Sequence, residues 1–105
     1  MFVSIKGSSS SNFRRALKTG NWKIIEPAAL ELPYIWLDDA LQMLVFMARE
    51  NDDRYPRAAA KLAARITTER HLDLAESRFV LALTEALPRS PGAIAGMLEP
   101  YCARR

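Results

Sequence analysis

The sequence predicts an all-α protein of about six helices in three antiparallel hairpins, packed as a small bundle or a short α-solenoid. Three observations carry that reading. Alanine is abundant and β-branched residues are scarce, which favours helix over strand. Apolar residues recur at spacings of three and four. The gaps between periodic stretches hold the residues that start and stop helices.

The chain has 105 residues, of which 50% are hydrophobic and 26% charged, a composition suited to one folded domain. Gly7 through Ser11 is a Gly/Ser run with linker composition, so residues 1–11 are expected to form a flexible N-terminal tail and 12–105 a single helical domain. The first helix is expected over Asn12 to Thr19, with Phe13, Ala16 and Leu17 apolar and Gly20 as its left-handed stop. A second runs from Asn21 to Leu32 and must either kink at Pro27 or begin close to it. The third, Asp38 to Glu50, is apolar on nearly every side and is expected to be central. Asn51-Asp52-Asp53 breaks it and caps a fourth helix, Arg54 to Arg70, where Tyr55, Ala59, Leu62 and Ile66 follow helical spacing. Asp73 and Glu76 have capping-box spacing and open a fifth helix to Leu87. Ser90-Pro91 reads as a cap followed by proline at the first helical position of a sixth helix, which Pro100 shortens or kinks.

Shifted by 35 positions, Leu37 falls on Leu72, Asp38 on Asp73, Val45 on Val80, Glu50 on Glu85, Arg54 on Arg89 and Pro56 on Pro91. The period is that of a helical hairpin, which cannot bury its apolar face alone and stacks on neighbours. In period and connectivity the layout resembles tetratricopeptide and HEAT-type repeats, although the Trp, Leu-Gly, Tyr and Ala signature of the tetratricopeptide is missing. The run Ala16-Leu17-Lys18-Thr19-Gly20-Asn21, with Glu31-Leu32-Pro33 and Leu37-Asp38-Asp39-Ala40-Leu41, is also similar to short helical proteins of GC-rich bacteria. That resemblance implies a fold and no activity.

Few residues are arranged for chemistry. Cys102 is the only cysteine and His71 the only histidine, too few for an intramolecular disulfide or a tetrahedral structural metal site. The carboxylate pairs Asp38-Asp39 and Asp52-Asp53 stand where helices begin, and negative side chains there complement the helix dipole. No phosphate loop, nucleotide fingerprint or metal-ligand cluster occurs, so neither a cofactor nor catalysis is expected. No leader sequence and no run of roughly 20 apolar residues is seen, which excludes a membrane span and makes the cytoplasm the expected location.

Two features point to partners. Arg54, Arg57, Lys61 and Arg65 are spaced by three, four and four residues and form a basic stripe on the fourth helix. Such a stripe is most often a solvated face; after that it suits an acidic protein surface, and last the phosphates of a nucleic acid. Tyr34 and Trp36 flank a helix connection, where aromatic residues either cover the end of a core or anchor an interface. Phe79 to Leu87, a turn and Ser90 to Leu98 resemble the first two helices of a helix-turn-helix reader, but only a proline-interrupted stub follows, so specific DNA reading is not expected. The expectation is a non-enzymatic protein-interaction module or small adaptor, with a phosphate-binding regulator as the alternative. Self-association is a further option, through Ile94, Met97, Leu98 and Tyr101 of the sixth helix.

Overall fold

The computed structural model describes residues 2–104, with side chains described from residue 9 onward. Six α-helices and one short 3-10 turn account for the regular structure of the described residues, and none of them is in a strand. The chain divides into two compact units, Met1–Ile35 and Trp36–Arg105. The boundary falls inside the stretch that the sequence suggests as one domain.

The first unit is a hairpin of α1, Phe2–Thr19, against α2, Trp22–Leu30. The backbone of α1 is helical through Gly7 to Ser11, where composition suggests a tail; Met1 lies outside the described residues. Gly and Ser are weak helix formers, and a helix crosses such a stretch because extension from an established turn needs no new nucleus. Gly20 stops α1 at φ 67, a left-handed conformation that glycine adopts without a Cβ penalty. The Asn21 side chain then accepts the Lys23 N–H at 3.0 Å and caps α2. Pro27 sits inside α2 and removes one backbone bond without ending the helix.

The second unit holds α3 (Leu37–Arg49), α4 (Tyr55–Glu69), α5 (Leu74–Ala86) and α6 (Pro91–Cys102), with the 3-10 turn Leu87–Arg89 between the last two. Helix α3 packs against both α4 and α6, and α5 packs against α4 and α6, so the four helices close into a ring. That closure makes the unit a small bundle and not an open stack. Its core contains Ile66, Val80, Leu87 and Leu98, all with no exposed surface.

Local chemistry explains the boundaries. Asp38 accepts the Asp39 N–H at 2.8 Å in the first turn of α3. Helices α3 and α4 both end in a Schellman arrangement: Asp52 N–H reaches the Met47 carbonyl at 3.1 Å, and Leu72 N–H reaches Thr67 at 3.0 Å. The left-handed residues of these two ends are Asn51 (φ 51) and His71 (φ 52), so the single histidine is a helix terminator. Asp73 caps α5 by accepting the Glu76 N–H at 2.8 Å, as its spacing predicts. Ser90 differs from expectation. Its carbonyl receives the Ile94 N–H at 3.0 Å, but at φ −152 and ψ 71 its hydroxyl makes no cap bond. Pro100 lies within α6, which continues to Cys102.

Candidate functional site

The basic stripe lies along α4, but its four members differ electrostatically. Arg54 folds back on Asp52, with Nη2 at 2.7 Å from Oδ2 and Nε at 3.0 Å from Oδ1. Arg65 pairs with Glu69 one turn on, at 2.9 Å. Arg57 and Lys61, both exposed, make no ion pair with another described residue. The centre of the stripe is therefore cationic and its ends are locally neutralised.

Beside this stripe runs a shallow apolar groove between α4 and α5. Two recesses of about 430 and 420 Å³ follow one another along α4 and share Ala60 and Leu81. Its α4 wall is built from small residues, Ala60 and Ala64 among them. Its α5 wall carries Leu74, 68% exposed, Leu81, 44% exposed, and the cation Arg78. Ala60 is three residues from Arg57 and Ala64 three from Lys61, neighbouring positions on a helix surface. Cations thus stand on both rims of an apolar floor. Sequence reasoning found the α4 cations and missed Leu74, Arg78 and Leu81. The available signal was that α5 carries apolar residues on more than one side, so burying Val80 and Leu83 leaves Leu74 and Leu81 outside.

The two aromatic candidates separate. Tyr34 is about half exposed and belongs to the first unit. Trp36 occupies the N-cap position of α3, makes no side-chain cap bond, and carries the Arg104 guanidinium 5.1 Å from its ring centroid. Arg104 also donates to Asp38 at 2.9 and 3.2 Å and to Asp39 at 3.0 Å. Arg70, the C-cap of α4, donates to the carbonyls of Tyr101 and Ala103, both at 2.8 Å. These two arginines tie the end of α6 to the start of α3 and the end of α4. Of the suggested self-association residues, Leu98 is fully buried and faces the core, while Met97 is 46% exposed.

A second depression, about 600 Å³, lies along the contact between α3 and α6. It is floored by Leu41, Val45, Phe46 and Ala95 and edged by Asp38, Arg49 and Glu99. Cys102 lines it, yet burial pushes the thiol up to about 11, against the pull of Arg70, so it is held protonated at neutral pH. A protonated, buried thiol is a poor nucleophile and a poor metal ligand. Among the described residues, no group of three His, Cys, Asp or Glu side chains could hold a metal ion, and no helix is long and apolar enough to cross a membrane. Comparison with family models, curated proteins and solved structures finds no match to this chain.

Proposed function

We propose that this protein is a non-enzymatic protein-interaction module, a small adaptor. The observation that carries the reading is the α4/α5 groove, where exposed Leu74 and Leu81 lie between cationic rims formed by Arg57, Lys61 and Arg78. Water meets apolar side chains there at a cost that a partner would remove, and the flanking charges would select an acidic one. The ion pairs at Arg54 and Arg65 weigh against a phosphate-binding role, because a nucleic-acid surface gains from every cation left available to phosphate. The match of α3–α4 to α5–α6 at a shift of 35 positions fits an origin by duplication of one hairpin.

Tagged protein recovered from its native lysate, with and without nuclease treatment, tests this reading. A stoichiometric protein partner that survives nuclease supports the module. Recovery of nucleic acid, with all co-purifying proteins lost after nuclease, would replace it with the phosphate-binding alternative.

A further inference from the structure

We infer that the α4/α5 groove receives an acidic amphipathic helix from another protein. The inference rests on the interaction-module reading and adds the site and the chemistry of the partner. Three features define the occupant. The groove runs along α4 from Tyr55 to Thr68, about 20 Å at 1.5 Å per residue, which is the span of three to four helical turns. Both walls are helices whose backbone groups bond within themselves, so the groove offers no strand edge. These walls offer an occupant no backbone partner, and a helix, whose backbone groups bond within itself, needs none.

The charge pattern names the flanks of that helix. Arg57 and Lys61 stand on the α4 rim and Arg78 on the α5 rim, none of them paired with another described residue. A partner with an apolar stripe and carboxylates on both sides would place Leu or Met on Ala60, Ala64 and Leu81, with Glu or Asp beside each rim. The small alanine side chains permit close approach, and Leu74 and Leu81 supply the apolar surface to be covered. A second copy docked by two-fold symmetry through this face would bring cationic rim against cationic rim whichever rims met, which disfavours self-pairing here. Glu85 lines the end of the groove near Pro88 and marks where the partner helix should carry its basic or neutral terminus.

The test titrates the full chain, observed by amide NMR, with two designed helical peptides of about 14 residues. Both carry the same Leu/Ala stripe; one has Glu on its flanks and the other Lys. The acidic peptide is expected to shift Ala60, Ala64 and Leu81 saturably, and the basic peptide to leave them unmoved. Reversal by Arg57→Glu with Lys61→Glu is expected to weaken the acidic peptide by about tenfold or more and to admit the basic one. Ala64→Trp, at an exposed position, should block the acidic peptide while keeping every charge. Equal binding of the two peptides, shifts confined to the α3/α6 depression, or indifference to reversal would each overturn the inference. If the reversed variant captures the same nuclease-resistant lysate partner as the wild type, the groove assignment fails while the module reading stands.

Discussion

The Tyr55 hydroxyl donates a 2.6 Å hydrogen bond to the backbone carbonyl of Thr84, inside the contact between α4 and α5. The reason lies four residues beyond Thr84. In a continuing helix that carbonyl would accept the N–H of residue 88, which is proline and has none. A phenol from a different helix fills the vacancy. Tyr55→Phe should therefore cost about 1–2 kcal/mol, the penalty of leaving a buried carbonyl unmet. Pro88→Ala should recover part of that loss in the Phe variant and much less in the wild type, because it restores the missing donor. A double-mutant cycle by urea unfolding measures the coupling; strictly additive effects would reject this account.

Alkaline pH should lower the stability of the protein over two overlapping windows. Burial raises Cys102 from 9.0 to about 11, and burial raises Tyr55 from 10.0 to about 12. Both groups are neutral in the folded state, while the unfolded chain ionises them earlier. Stability is thus fully present below pH 9.0 and falls as pH rises through about 11 and then about 12. Urea midpoints across this window should decline, and Tyr55→Phe should flatten the upper part of the decline.

His71 holds a left-handed conformation at φ 52 while remaining exposed. His71→Gly should raise stability by about 0.5–1 kcal/mol, since glycine removes the Cβ strain at the helix end. Asn51→Gly should do less, because asparagine tolerates φ 51 better. Thermal unfolding of the two variants ranks them, and a loss of stability in the His71 variant would show that the imidazole has a role beyond ending α4.

Met97 and Leu98 are adjacent and of similar hydrophobicity, yet Leu98 is fully buried and Met97 is 46% exposed. Leu98→Ala should cost about 2–5 kcal/mol, whereas Met97→Ala should stay within about 0.5 kcal/mol for the monomer. If Met97→Ala also lowers stability in a concentration-dependent way, α6 is covered by another chain in solution.

Arg104 reaches Asp38, Asp39 and Trp36 across 66 and 65 residues of sequence for the two carboxylates. The cluster is partly solvated, so Arg104→Ala should cost no more than about 1 kcal/mol, and the difference from wild type should shrink in high salt. The same variant should change the fluorescence of Trp36, read in a Trp22→Phe background.

Much of the helical framework is legible in the residues because its signals are local. Gly20 after α1, Asp73 with Glu76 at the start of α5, and the apolar spacing of Tyr55, Ala59, Leu62 and Ile66 all act within one or two turns. Ser90 shows the limit of such signals: residue type marks the helix start correctly, while the backbone angle decides whether its hydroxyl can cap. The basic stripe is equally visible as a spacing, but its division into paired ends and a cationic centre depends on where Asp52 and Glu69 place their carboxylates.

By itself, then, the sequence determined the all-α class, the number of helices and most of their ends, because helix formation is governed by interactions three and four residues apart. Only the tertiary structure decided which side of α5 and α6 is covered, that Arg104 closes on Asp38, and that Tyr55 serves the carbonyl Pro88 leaves open. Those choices depend on pairs far apart in the chain, where the closing of the ring selects one apolar side of each helix for burial and leaves the other to water or to a partner.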